Sequence, residues 1–120
     1  MSDLKQLKNE FAALSDFLIA LGDEKRQAIL IALLADHACQ GLRVTDLATT
    51  VELSRPAISH HLKILKQAHL IDFYSEGTKN YYYLSHDIKE ITQLQHLLDH
   101  VNKIIATTKK TTHLSKEGKR

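Results

Sequence analysis

The spacing of the apolar residues changes twice along this chain, and this change limits the folds it can adopt. Up to Gln67 apolar residues recur every three or four positions, as in amphipathic helices. Between Leu70 and Leu84 two short runs are rich in aromatic and β-branched residues, which favour strands. Beyond Ile88 the helical spacing returns. With 4 Gly and 1 Pro in 120 residues, little interrupts helices, so we predict a mainly α-helical fold with a small β-hairpin.

The residues before the hairpin predict four helices. The first runs over Leu4–Leu21, and its apolar residues form a narrow seam of the kind that packs helix on helix. The second opens at Asp23, which suits an N-cap. A short extended piece at 42–44 leads to a third helix, with Thr45 as its expected N-cap, and Ser54 then caps a fourth helix.

The third and fourth helices are separated by a turn of about four residues, which is typical of a helix-turn-helix. The hairpin behind them, with strands at 70–74 and 80–84 and a turn at 75–79, is predicted to be a wing. The expected order is two helices, a short strand, two helices, two strands and a last helix. One face of the fourth helix is predicted to be buried: Ile58, Leu62 and Leu65.

The first and last helices are predicted to form a dimer interface. The last helix is expected to open at Ser85, and both helices carry heptad-like apolar seams. The alternative is that these helices complete the core of a monomer. We expect residues 1–107 to form one domain and residues 108–120 a basic, disordered tail. The interface residues would be Leu4, Leu7, Phe11, Leu14, Leu18, Ile91, Leu94, Leu98, Val101 and Ile105.

The net charge of +2 conceals an uneven distribution. From Lys103 onward the chain carries +5, so the preceding 102 residues carry −3. Bulk charge therefore does not indicate a nucleic-acid binder. The local pattern does, because no acidic residue lies between Ser54 and Ile71.

The stretch Val44–Leu84 resembles the ArsR/SmtB-type winged helix-turn-helix repressors. The resemblance rests on the run Leu53-Ser54-Arg55-Pro56-Ala57-Ile58-Ser59-His60-His61-Leu62 and on Ala68-His69-Leu70-Ile71, where the family usually has Gly in place of His69. It implies a homodimer that binds double-stranded DNA as a repressor and is often released by a metal ion or another inducer. The inducer of this protein is not evident from its sequence.

The expected DNA contacts lie on helix 54–68 and wing 72–84. Arg55, at the helix start, can bridge guanine O6 and N7, while Lys63 and Lys66 suit phosphates. One alternative is that this side of the helix is an ordinary solvated surface. Another is a protein–protein interaction module without specific DNA binding, a role that winged helices also serve. His61 falls nearer the inner face and is read as packed or capping. The candidate contact residues are Ser54, Arg55, Ala57, Ser59, His60, Lys63, Lys66, Thr78 and Lys79.

A metal cofactor is not predicted. The family's thiolate site would fall at residues 42–47, which contain no Cys. The pair His96 and Asp99 resembles half of the family's last-helix site, but the matching first half is out of register. We expect His96 and His100 to be solvated surface residues. The weak candidates are His86, His96, Asp99 and His100.

Several functional classes are disfavoured. No nucleophile–base pair, phosphate loop or carboxylate pair stands out, so an enzyme is not predicted. No apolar run approaches the ~20 residues of a membrane span, and the N-terminus lacks the features of a signal peptide. The single cysteine, Cys39, excludes an intrachain disulfide and is read as a small buried hydrophobic residue. Together these features lead us to expect a cytoplasmic protein.

Overall fold

The computed structural model describes residues 2–37 and 40–111, which form two compact units. The helix-pair unit contains residues 2–14 and 89–111, and the winged unit contains residues 15–88. No helix in the described ranges is both long and apolar enough to cross a membrane.

The elements follow the predicted types. The winged unit holds four helices and an antiparallel hairpin, and the helix-pair unit holds one helix from each end of the chain. The elements are α1 (Ser2–Ala13), α2 (Ser15–Leu21), α3 (Glu24–Leu34), α4 (Val44–Val51), α5 (Arg55–Gln67), β1 (Ile71–Glu76), β2 (Lys79–Leu84) and α6 (Lys89–Thr111).

The prediction of one continuous helix over Leu4–Leu21 is wrong. The helix is interrupted at Leu14, whose N–H donates to the Phe11 carbonyl at 3.1 Å in a tight turn. Ser15 and Asp16 follow, and such residues favour helix starts over helix interiors because their side chains compete for backbone hydrogen bonds. The break places Leu18 in the winged unit, where it is half-buried. The predicted interface residues Leu4, Leu7, Phe11 and Leu14 belong to the helix-pair unit, in which Leu14 is buried and so is not available for an interface.

The core of the winged unit is built from the inner faces of its helices and the start of β1. On α2 the buried residues are Phe17 and Ala20, and on α3 they are Ile29 and Leu33, whereas Leu34 is exposed. The predicted inner face of α5 is confirmed. The remaining core residues are Leu47, Ile58, Leu62, Leu65, Ala68, Leu70 and Ile71.

Two of the three predicted caps in this unit are confirmed. The side chain of Asp23 accepts the N–H of Arg26 at the start of α3, and the side chain of Ser54 accepts the N–H of Ala57. Thr45 is not a cap. The N-cap position of α4 is occupied by Arg43, because the Asp46 carboxylate accepts the Arg43 N–H at 2.9 Å and moves the helix start two residues upstream.

The wing is longer and its turn tighter than predicted. The strands pair from Ile71↔Leu84 to Glu76↔Lys79, which leaves only Gly77 and Thr78 as the loop. Gly77 has a φ angle of 64°. A positive φ at the first position of a two-residue hairpin loop favours glycine, or else asparagine or aspartate. The expected short strand at 42–44 is an isolated bridge, in which Leu42 exchanges two backbone hydrogen bonds with Tyr82.

The last helix starts later than expected, at Lys89 instead of Ser85. The N–H of Ser85 donates to the Leu70 carbonyl, so this residue extends the end of the wing and does not cap a helix. The helix continues through Thr111, so residues 108–111, which were predicted to begin the disordered tail, are helical. The rest of the predicted tail lies outside the described residues.

Candidate nucleic-acid interface

Helix α5 owes its form to local sequence. Ser54 caps it, and Pro56 occupies the first turn, where a missing N–H costs nothing. Three aliphatic residues at helical spacing, Ile58, Leu62 and Leu65, are buried against the other elements of the winged unit. The helix is therefore fixed along one side, and the opposite side is free to meet a ligand.

The free side of α5, which we call the outer face, carries the predicted contact residues. Arg55, Ser59, His60 and Lys63 are all exposed, and Ser54 is exposed at the helix start. Ala57 is half-buried. The outer face contains cations and hydrogen-bonding groups and no acid, which gives it the chemistry to meet phosphates and base edges.

Lys66 is engaged differently from the other cations of α5. Its ammonium lies 4.0 Å from the Asp72 carboxylate and 5.6 Å from the centre of the Phe73 ring, both on β1. It therefore joins the helix to the wing, and part of its charge is already balanced. The remaining cations of α5, Arg55 and Lys63, lie exposed on the outer face.

His61 lies toward the inside of the winged unit, as predicted. Its Nδ1 is 3.3 Å from Nη1 of Arg26 on α3, and 4.0 Å from the Asp23 carboxylate. Burial lowers the pKa of His61 below its ordinary range, the charges of Arg26 and His60 act in the same direction, and Asp23 opposes them. The backbone N–H of Arg26 lowers the pKa of Asp23, so this carboxylate stays ionised beside the ring.

The wing carries a second basic group of the candidate interface. The structure also reveals contact candidates that the sequence analysis did not name. Thr78 and Lys79 are exposed at the wing tip, as predicted. With Arg43, Thr45 and Asn80 they line a shallow cleft of about 200 Å³ between the start of α4 and the wing. The bridge between Leu42 and Tyr82 brings Arg43 there. The only signal in the sequence was a single basic residue within the predicted extended piece at 42–44.

The geometry of α5 and the wing is shared with known regulators. A sequence model described as "Bacterial regulatory protein, arsR family" matches residues 23–72, which span α3, α4, α5 and the start of β1. The transcriptional repressor SdpR of Bacillus subtilis is 34% identical over 84 residues, which cover 70% of this chain and 88% of that repressor. The chain belongs to the arsR family of bacterial regulatory proteins.

Two further similarities agree with this assignment. An uncharacterized HTH-type transcriptional regulator of Methanocaldococcus jannaschii is 41% identical over 76 residues, covering 62% of this chain and 82% of that protein. The crystal structure of the transcriptional regulator HlyU from Vibrio vulnificus has a TM-score of 0.57 at 33% identity and covers 82% of this chain and 98% of HlyU. This arsR-family chain is thus a winged-helix transcriptional regulator and not an enzyme.

The weak metal candidates of this arsR-family protein do not come together. Within the described residues, no three His, Cys, Asp or Glu side chains are arranged to hold a metal ion. His86 packs its ring against Tyr83 in the winged unit, whereas His96, Asp99 and His100 lie on α6 in the helix-pair unit.

The expectation that His100 is a solvated surface residue is wrong. Its side chain is mostly buried, with Nδ1 3.0 Å from the Glu10 carboxylate and Nε2 3.9 Å from the Asp3 carboxylate. The expectation was wrong because it took the predicted apolar seam as the only packed side of α6, whereas His100 packs against two acids of α1. His96 is exposed, as expected. Cys39 lies outside the described residues.

Proposed function

We propose that this protein is a dimeric, sequence-specific DNA-binding repressor that acts in the cytoplasm on a two-fold-symmetric operator. The observation that carries the proposal is the outer face of α5, which is exposed, basic and free of acids on a helix whose other side is anchored in the core. Family membership supports it, since relatives such as SdpR are transcriptional repressors.

Each part of the interface has a distinct role in this proposal. Arg55, Ser59 and His60 read base edges in the major groove, since residues near the start of a recognition helix reach them. Lys63 contacts a phosphate. Arg43 and Lys79, on either side of the cleft at the wing tip, hold the backbone on the flank of the site. These phosphate contacts supply affinity and register, and the outer face supplies sequence preference.

The proposed dimer rests on an apolar stripe of the helix-pair unit. Leu4 and Phe11 on α1 are seven residues apart, and so are Ile91, Leu98 and Ile105 on α6. These five side chains are between 46% and 59% exposed. A repeat of seven is the spacing of helices that pack on one another, and exposed apolar stripes of this kind mark interaction sites. Because the same stripe on a second copy is complementary to it, we assign the second copy as its occupant.

Selection of bound DNA from a random pool tests the proposal directly. Enriched sequences should be two-fold repeats with half-sites about one DNA turn apart. The logarithm of the association constant for the selected DNA should fall linearly with the logarithm of the salt concentration. Arg55→Ala should weaken binding to the selected sequence by roughly tenfold to a hundredfold, and should weaken binding to a scrambled sequence less.

Lys25→Ala is the matched control, because it removes an exposed cation of α3 that lies off the outer face. It should leave affinity near that of the unmodified protein. A pool that yields no enriched sequence, or equal losses from Arg55→Ala and Lys25→Ala, contradicts sequence-specific binding through α5.

A further inference from the structure

Arg26 joins three helices of the winged unit through one guanidinium group. Its Nε donates to the Ala20 carbonyl and its Nη2 to the Ile19 carbonyl, both at 3.0 Å, at the C-terminal end of α2. Its Nη1 lies 3.3 Å from Nδ1 of His61 on α5. A planar group with several fixed donors suits such a junction, and the ammonium of lysine does not reproduce it.

The contact between Arg26 and His61 defines the protonation state of the ring. A guanidinium can only donate, so Nδ1 of His61 must accept, and the ring proton must sit on Nε2. A second proton on the ring would occupy Nδ1. The contact would then join two donors and two positive charges, and the hydrogen bond between α3 and α5 would be lost.

We propose that Arg26 is a positioning residue for the recognition helix α5, and that protonation of His61 releases this link and weakens DNA binding. The inference rests on the proposed function, since α5 must contact DNA for its position to matter. His61 directly follows His60 on the outer face and lies two residues from both Ser59 and Lys63. Loss of the hydrogen bond to Arg26 therefore changes the position of the neighbouring residues that contact the DNA groove.

The charged groups around His61 oppose one another, and their balance favours the neutral ring. Asp23, at the start of α3, lies 4.0 Å from Nδ1 and favours protonation. Arg26 on α3 and His60 on α5 disfavour it, and so does burial of the ring, which is the largest effect and lowers the pKa of His61. The neutral, linked form is therefore the form present near neutral pH, and the released form appears only on acidification below the ordinary histidine range.

A pH profile of DNA affinity tests the inference in the His60→Asn background. This background is needed because protonation of His60 adds a charge directly at the DNA and would mask the effect. The His60→Asn protein should lose affinity for the selected DNA progressively below about pH 6.5, by roughly threefold to tenfold at about pH 5, because the lowered pKa of His61 delays protonation of the ring. His60→Asn/His61→Asn should show a much flatter profile, because the Asn oxygen accepts from Arg26 at every pH. The other histidines are common to both proteins and cancel in the comparison.

Arg26→Lys provides the second arm, because it keeps the charge and removes the three-way junction. In the His60→Asn background it should lower affinity at about pH 7.5 by a similar factor and flatten the profile. Imidazole ¹⁵N NMR of the unmodified protein supplies a readout that does not depend on any variant folding. It should show the Nε2–H tautomer of His61 and a titration midpoint for this ring below the ordinary range of histidine.

The outcomes separate the two proposals. Equal pH profiles with and without His61→Asn, or an Nδ1–H tautomer in the NMR spectrum, overturn the positioning role and leave DNA binding intact. Failure of the unmodified protein to bind any selected DNA near neutral pH overturns the proposed function itself.

Discussion

At the scale of single residues, His69 holds an unfavourable backbone conformation that the fold requires. It has φ 65 and follows the last residue of α5 and its cap, Ala68. The N–H of His69 donates to the Lys66 carbonyl and the N–H of Leu70 to the Leu65 carbonyl, which is the Schellman pattern of helix termination. That pattern needs a left-handed residue, and for any residue but glycine this costs about 1 kcal/mol.

We therefore expect His69→Gly to have a free energy of unfolding about 1 kcal/mol higher than His69→Ala. Both variants lose the imidazole and its interactions, so their difference isolates the backbone. Denaturant unfolding at constant pH measures it. The same pair at Lys63, an exposed position in the middle of α5, should give the opposite sign, because glycine is disfavoured within helices. Equal stability of His69→Gly and His69→Ala would show that the left-handed backbone carries no strain.

At the scale of elements, Ser54 has a structural role at the start of α5 and, in the proposed function, would also face DNA. Its side chain caps the helix, and its position places it where DNA would approach. Ser54→Ala should lower the free energy of unfolding by about 1 kcal/mol, since the cap is lost. Ser54→Asp should keep the cap and the stability, but it should weaken DNA binding because it adds a negative charge facing phosphates.

Ser54→Asn is the matched control for that pair, because it keeps the cap without adding charge. Unfolding and DNA affinity are measured in parallel on all three variants. If Ser54→Asp binds the selected DNA as tightly as Ser54→Asn, the N-terminal end of α5 does not face the phosphate backbone.

The elements also show which features a sequence can reveal. The cap, the inner face and the outer face of α5 are all within one helical stretch, so they could be predicted together. The link between Arg26 and His61 joins residues 35 positions apart, and nothing in their local sequence indicates it. The start of α4 was misplaced because a backbone N–H of Arg43 and a carboxylate of Asp46 decide it, while Thr45 between them is the better cap by residue type alone.

At the scale of the whole molecule, the residues of the predicted α6 seam divide between a packed face and an exposed face. Leu97 is buried although the seam omitted it, and Leu94 and Val101 are half-buried. Ile91 and Leu98 remain exposed, with Ile105 one further heptad along. The alternative in which the outer helices only complete a monomer core leaves this stripe in water. The proposed dimer would cover it, and would also supply the two copies of α5 that a two-fold operator requires.

Leu98→Glu tests this arrangement because it places a charge at the centre of the exposed stripe. We expect the protein to change from dimer to monomer in sedimentation or light-scattering measurements, since a buried unpaired carboxylate is costly at an interface. Apparent affinity for the two-fold operator should fall by roughly a hundredfold or more, because the second half-site is no longer bound by a linked copy. Thr92→Glu adds the same charge to an exposed position of α6 about a quarter turn or more from the stripe, and it should leave both properties unchanged. If the Leu98→Glu protein stays dimeric and folded, the interface lies elsewhere on the molecule. If it becomes monomeric and its affinity for the operator does not fall, DNA recognition does not need the dimer.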